Sequence, residues 1–393
     1  MLKPFTIDVS DEELATLRRR LVEARFAEDF QNEDWGYGMN GAYLKELVDY
    51  WINEYDWRAH EAEINSYQNV RGEIDGVIVH ALIAEGKGKR RIPLILSHGW
   101  PWTFWDFKDV IVPLTDPASV GLDDAVAFDV VIPSLPGFGY SSPLRQTGLS
   151  PQRISDLFHK LMTEELGYER YAVHGGDLGS FVSANLGHGH AESVIGVHLS
   201  LPAMLGVDFA ANTAGSKAVV GPEDFADDEQ GWFEHNLDRA AKTRAHSIAH
   251  RESPQSLGFA FNDSPIGLAS WIVERRRLWS DCNGDVESVF SKDFLITLLS
   301  IYWFTQTVTT SMRAYADMGL GDWERRHDRI PTLDVPTAIA VMPEDNLLLP
   351  RAFVEKHVNL RRWTRMPRGG HFAAAEQPEL IANDIRAFFS ELE

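Results

Sequence analysis

The chain has 393 residues, with 37 Lys and Arg against 58 Asp and Glu, a formal net charge of −21 and a single cysteine, Cys282. An acidic balance of that size weighs against nucleic acid and anionic membranes as partners and reads as solubility. One cysteine excludes an intrachain disulfide and fits a reducing compartment, so a cytoplasmic placement is expected. Hydrophobic content of 44% is enough to bury a real core. Residues 1–10 lack a basic segment followed by an apolar run, and no stretch approaches the ~18 apolar residues of a spanning helix. No repeat or low-complexity segment is visible.

Taken in order, residues 5–9 alternate, and Ser10 with Glu13 forms a capping box that opens a helix carrying Leu14, Leu17 and Leu21. A second helix carries Leu44, Leu47, Val48 and Trp51 on one face and ends near residues 55–58. Neither holds a catalytic-looking cluster. The period then changes to strands. Residues 70–74 and 77–82 flank Asp75-Gly76, a hairpin signal, and residues 86–91 form a basic loop. Residues 92–96 read as a buried parallel strand running into Ser97-His98-Gly99-Trp100-Pro101. A second such strand, 129–133, runs into the glycine-rich turn of residues 135–142, and a third and fourth are expected at 171–175 and 194–199. Strands that alternate with helices and end in glycine turns predict a doubly wound, mainly parallel α/β sheet.

Between about residues 201 and 333 the strand rhythm stops. A polar helix is predicted over 223–251, another over 266–277 capped by Asn262-Asp263-Ser264-Pro265, and one long aromatic helix over 294–316. Strands resume at 337–341 and 362–364, and a helix closes the chain over 380–389. The expected division is an N-terminal extension (1–61), a first core part (62–203), a helical cap (204–329) and a second core part (330–393). An insertion at the carboxyl ends of the strands roofs the edge where open α/β sheets bind ligands.

The third strand ends in His174-Gly175-Gly176-Asp177-Leu178-Gly179-Ser180. Small residues two positions either side of a central side chain are the spacing of a nucleophile elbow, a sharp strand-to-helix turn. Asp177 occupies the centre. A carboxylate needs no base to be nucleophilic at neutral pH, which points from acyl transfer towards displacement at an sp³ carbon. Such a nucleophile needs a base for water, an acid to orient the base, and oxyanion donors. His371, in Pro367-Arg368-Gly369-Gly370-His371-Phe372, follows the last strand. Glu344 and Asp345 follow the one before. The order nucleophile, acid, histidine is that of this fold.

The motifs His98-Gly99-Trp100-Pro101, Gly175-Gly176-Asp177-Leu178-Gly179-Ser180 and 367–372 together resemble the α/β-hydrolase-fold epoxide hydrolases, in the microsomal-type branch that carries an N-terminal extension. The resemblance covers essentially the whole chain, Trp35, Asn262-Asp263-Ser264-Pro265 and Tyr302-Trp303-Phe304-Thr305 included. It implies Asp177 as nucleophile, His371 as water-activating base, and Asp345 as orienting acid, with Glu344 the alternative. It further implies the N–H groups of Trp100 and Leu178 as oxyanion hole and Tyr315 as donor to the epoxide oxygen. The second tyrosine of the family is replaced here by His246. An imidazole or imidazolium there can still donate, or His246 is a spectator with Tyr315 acting alone. His246 and His250 lie one helical turn apart, but a zinc site wants a third ligand that no motif supplies. Trp102 and Thr103 depart from the Gly-Ser common in relatives. Trp102 and Trp105, with Phe107 adding aromatic surface, are expected to reshape the substrate space, and Phe138 to line it.

The expected reaction is hydrolysis of an epoxide to a vicinal diol through an aspartyl ester. The substrate class is a bulky apolar or aryl epoxide, water is the second substrate, and no metal or organic cofactor is required. A homodimer is an assembly this reading allows. The rivals are a haloalkane dehalogenase, which shares the aspartate but uses halide-binding donors, and a non-catalytic binding protein on the same scaffold. Tyr315 and the extension argue against the first, and the retained motif residues against the second.

Overall fold

A nine-stranded sheet organises the computed structural model, which describes residues 1–122, 125–202, 205, 220–318 and 323–392. In chain order the strands are β1 (Lys3–Pro4), β2 (Gln68–Ile74), β3 (Val77–Ala84), β4 (Arg91–Ser97), β5 (Ala127–Pro133), β6 (Tyr171–Gly175), β7 (Val194–Leu199), β8 (Leu333–Val341) and β9 (Val358–Arg365). They lie in the order β1-β2-β3-β5-β4-β6-β7-β8-β9. Pairing is antiparallel up to β3–β5 and parallel from β5 to β9. Asp75 (φ 50°) and Gly76 (φ 76°) make the tight β2–β3 turn, both in the left-handed region that such turns require. From β4 the chain first goes to β5 and then returns on the other side with β6. That reversal opens a crevice at the carboxyl ends of β4 and β6. The parallel strands are apolar because both faces are covered: every residue of β5 and of β6 is buried.

The extension contributes three helices, Asp11–Val22, Gly41–Asn53 and Trp57–Asn65, each started by a side chain (Ser10, Asn40, Asp56) that accepts a backbone N–H. The third was not expected from the sequence pattern. The helix-rich region after β7 holds Trp232–Glu252, Pro254–Asp263, Pro265–Trp279, Lys292–Thr305 and Val308–Met318. The extension binds it directly. The Tyr50 hydroxyl donates to Asp293 (3.0 Å), Tyr55 bonds Thr297 (3.0 Å), Arg20 pairs with Asp263 (2.7 Å), and Trp57 packs on Phe304.

The single helix expected over 294–316 is two. Gln306 takes a left-handed conformation (φ 53°) and ends the first. Thr307 then accepts the Gly139 N–H (3.2 Å), and the Thr310 hydroxyl donates to the Gly137 carbonyl. These tertiary bonds outweigh helical continuity. The start of the expected cap, at the 203/204 boundary, lies outside the described residues. No helix among the described residues is long and apolar enough to cross a membrane.

Candidate active site

At the end of β6 the backbone turns so sharply that Asp177 sits at φ 50°, ψ −126°. A non-glycine residue there stores roughly 1–3 kcal/mol, held only because the surroundings fix it. The glycines around it are required by contact. A Cβ at Gly175 falls 2.3 Å from the Gly179 carbonyl oxygen, one at Gly179 falls 2.0 Å from the Ser97 carbonyl oxygen, and one at Gly99 falls 2.2 Å from Asp177 Oδ1. The loops after β4 and β6 therefore touch backbone to backbone, and the Trp100 N–H donates to Asp177 Oδ1 at 2.8 Å. Leu178, the first residue of the helix Leu178–Gly189, turns its own N–H on the same carboxylate.

The loops after β8 and β9 complete a row of charges. His371 Nδ1 lies 2.7 Å from Asp345 Oδ1, and its Nε2 lies 3.2 Å from Asp177 Oδ2. The latter is an ion-pair distance whose N–H does not point straight at the oxygen. Of the two adjacent carboxylates, Asp345 reaches the histidine, while Glu344 pairs with Arg239 at 2.5 Å. His235 Nε2 lies 2.7 Å from the Asp345 carbonyl oxygen, which fixes that loop from the helix Trp232–Glu252.

Burial alone would lower the pKa of His371, but the Asp345 and Asp177 carboxylates override it and push it up to about 10. Burial likewise opposes charge on Asp177. The imidazolium and the N–H groups of Trp100 and Leu178 nevertheless hold it below the usual carboxylate range. An ionised carboxylate beside an imidazolium, with the N–H groups of Trp100 and Leu178 at its oxygens, can attack an electrophilic carbon and later have its ester hydrolysed.

Over this row stands an aromatic group centred on Trp100. His246 stacks on its indole (5.4 Å, 5°), and His250 (4.4 Å), Trp279 (6.0 Å) and Tyr315 (6.1 Å) meet it edge-on. Tyr315 is partly buried, and burial followed by the Asp177 charge pushes its phenol well above its ordinary pKa, so it stays protonated. His246 Nδ1 lies 2.5 Å from the Thr243 carbonyl. Burial lowers its pKa to about 4, against the pull of that carbonyl. A neutral ring so placed has its N–H on Thr243 and a lone pair on Nε2, the reverse of the donor expected at this position. His250 is also neutral, lowered to about 2 by burial, then by His246 and Arg275, and its Nε2 accepts the Trp271 indole N–H (3.0 Å).

The expected aromatic lining is redistributed. Trp102 is fully buried beneath the elbow, where its indole comes 2.8 Å from a Cβ built on Gly176 and packs on Phe107, His371 and Phe372. It supports the site from below, edge-on to the His371 ring. Trp105 packs on Phe104, on Tyr67 of the extension side and under Lys108, contacts that lead away from Asp177. Its expected lining role is corrected accordingly. Phe138 meets His98 edge-on (5.3 Å) and borders an apolar crevice with Leu135, Leu178 and Ala314, the last from the Tyr315 helix. Trp279 and Glu376 were not read from the sequence. Their partners are a neighbouring ring and backbone N–H groups, which leave no motif. Among the described residues no cluster of three or more His, Cys, Asp or Glu side chains is arranged to hold a metal ion.

Residues 2–107 match the epoxide hydrolase N terminus family and residues 92–378 the alpha/beta hydrolase fold. The chain is 33% identical to epoxide hydrolase 1 of Sus scrofa, over 100% of this chain and 89% of that protein. It is 34% identical to juvenile hormone epoxide hydrolase 2 of Ctenocephalides felis, over 98% and 84% respectively. Its structure is similar to that of the juvenile hormone epoxide hydrolase of the silkworm Bombyx mori, with a TM-score of 0.88 at 25% identity over 100% of this chain and 95% of that one.

Proposed function

This chain belongs to the epoxide hydrolase family and hydrolyses epoxides, and we propose that it does so through a covalent ester on Asp177. The observation that carries the reading is the ionised carboxylate of Asp177, set 3.2 Å from a histidine that Asp345 holds from its other side at 2.7 Å. Asp177 attacks a ring carbon from the back, the carbon–oxygen bond breaks, and the Tyr315 hydroxyl, kept protonated by burial, donates to the leaving oxygen. Alkylation turns Asp177 into a neutral ester and removes one of the two anions that keep the proton on His371. The imidazolium then passes its proton to the Tyr315 phenolate left by ring opening, and the neutral imidazole can act as a base. It takes a proton from water, whose oxygen bonds to the Asp177 carboxyl carbon. The Trp100 and Leu178 N–H groups stabilise the tetrahedral oxyanion, which collapses by breaking the bond between the carboxyl carbon and the alkyl oxygen; that oxygen takes the proton of the new carboxyl group, and the diol leaves with Asp177 again ionised beside the imidazolium.

The substrate class this supports is an apolar or aryl epoxide, because Trp100, Trp279, Tyr315 and the neutral His246 surround the attack position with ring surfaces. Helices between β7 and β8 are assigned to a cap over residues 204–329, with 1–61 as the extension and 62–203 and 330–393 as the two core parts. A cytoplasmic location is supported by one buried thiol, Cys282, and a homodimer is kept as the assembly to test by sedimentation. The mechanism is tested with His371→Gln and phenyloxirane. Intact-protein mass spectrometry is expected to show enzyme plus one substrate mass, mapped to the peptide holding Asp177. No adduct in His371→Gln, together with an inactive Asp177→Asn, would favour direct attack by water instead.

A further inference from the structure

The loop that carries His371 is held by bonds to every one of its backbone N–H groups from Gly369 to Phe372, and two of them converge on one buried carboxylate. Gly370 N–H donates to Glu376 Oε2 and Phe372 N–H to Glu376 Oε1, each at 2.8 Å. Glu376 Oε2 also accepts the Asp281 N–H (2.8 Å). Gly369 N–H donates to Asp281 Oδ2 (2.8 Å), and the His371 N–H itself donates to the Trp279 carbonyl (2.9 Å). The approach is close enough that a Cβ on Gly370 falls 2.7 Å from the Trp279 carbonyl oxygen and 2.8 Å from the Asp281 nitrogen. The anchor for the histidine loop is thus the carboxyl end of the helix Pro265–Trp279 and the residues just after it, joined to the loop through Glu376. No Lys or Arg pairs with Glu376 among the described residues, so its acceptor capacity goes to these peptide groups.

We infer that Glu376 is a positioning residue for His371. It clamps the peptide N–H groups on both sides of the histidine, so the imidazole keeps its place between Asp345 and Asp177 after alkylation has removed the Asp177 charge. Before alkylation, two ion pairs hold the ring. Afterwards only Asp345 does, and it grips one nitrogen. The backbone clamp then decides whether Nε2 still faces the water that must attack the ester. The carboxylate suits this task because its two oxygens accept on diverging lines. An amide in its place puts an NH₂ against one of the three peptide N–H donors. Burial works against the charge, and three peptide N–H groups with His371 work for it, leaving Glu376 at about 7.

The role rests on the covalent mechanism above and predicts a selective defect. Ring opening by Asp177 requires no base, so the clamp should matter for ester hydrolysis and not for alkylation. In single-turnover quench experiments with phenyloxirane, Glu376→Gln should slow loss of the Asp177 ester by about 10-fold or more, while ester formation stays within about 2-fold of wild type. Asp281→Ala, which removes only the Gly369 anchor and buries no charge, should move the ratio in the same direction by a smaller factor. That variant carries the test if Glu376→Gln does not fold. An equal fall in both steps, or no change in their ratio in either variant, overturns the positioning role, since general destabilisation does not discriminate between the two half-reactions. His371→Gln run alongside separates the two readings. Ester absent there overturns the covalent mechanism and the inference with it. Ester present there but not accumulating in the clamp variants overturns the role of Glu376 alone.

Discussion

The Nδ1 of His246 lies 2.5 Å from the carbonyl oxygen of Thr243, one helical turn earlier, so the N–H of the neutral ring is committed to the helix backbone. With burial lowering its pKa to about 4, the ring stays neutral between pH 5.5 and 9 and offers no donor on Nε2. Ring opening should then depend on Tyr315. His246→Phe is expected to leave the single-turnover alkylation rate within about 3-fold of wild type at every pH. Tyr315→Phe should lower it by about 10²–10³, the cost of a lost transition-state donor. The residual rate of Tyr315→Phe should be flat with pH. A residual that climbs towards pH 5.5 would mean that His246 donates as the cation after all.

The ion pairs of His371 make a prediction about stability. Its folded pKa is pushed up to about 10, against an unfolded value of about 6.5. A raised pKa means the folded state holds the proton more tightly. The stabilisation is therefore complete below about pH 6.5 and is lost as pH rises from there through about 10. One pKa unit is worth about 1.4 kcal/mol, so the loss should reach a few kcal/mol. Denaturant midpoints at pH 6, 8 and 10 should fall steadily for wild type. They should fall distinctly less for Asp345→Asn, which lacks the stronger partner. Parallel slopes in the two proteins would contradict the assignment.

A third prediction concerns a buried pair behind the site. Arg276 Nη2 lies 2.6 Å from Asp106 Oδ1 with both side chains fully buried, donates to the Pro101 carbonyl (2.7 Å), and lays its guanidinium on Phe372 (3.9 Å). It thus braces both the loop after β4 and the residue that follows His371. Burial raises the Asp106 pKa in spite of Arg276, so loss of hydration outweighs the attraction of the ion pair. Arg276→Met alone leaves a buried carboxylate unpaired and should cost about 3–5 kcal/mol in urea unfolding. The double variant Arg276→Met, Asp106→Asn, in which the amide still accepts the Thr103 N–H, should recover most of that loss. A double variant no more stable than the single one would show that packing, not charge, sets the cost.

What the sequence disclosed and what it withheld divide by the range of the interactions. The Asp75-Gly76 turn, the capping box of Ser10 and Glu13, and the glycines around Asp177 are legible because the residues that need each other are neighbours in the chain. Asp345 and His371 are legible because each follows a strand signal, in the order nucleophile, acid, histidine. The break at Gln306 is not, since nothing local stops the helix; Thr307 and Thr310 stop it by bonding the 137–139 loop. The orientation of His246 depends on a carbonyl that any residue at position 243 would present. The depth of Trp102 depends on Gly176 leaving room for an indole from another loop. Glu376 stayed hidden because its partners are peptide groups, which have no letter in the sequence.

The imidazolium set between two carboxylates has a consequence for the electrical state of the buried site. At rest two anions, Asp177 and Asp345, surround one cation, His371, for a net of one negative charge. After ring opening, in the mechanism proposed, the ester is neutral, the former epoxide oxygen carries a proton, the imidazole has lost one, and Asp345 remains, so the net is again one negative charge. Substrate and product are both uncharged. A low-dielectric pocket penalises changes in its total charge far more than rearrangements within it. Turnover would therefore run as an internal redistribution, with the resting proton of His371 as the reserve that balances the opened oxygen, and no ion need cross the protein boundary at any step.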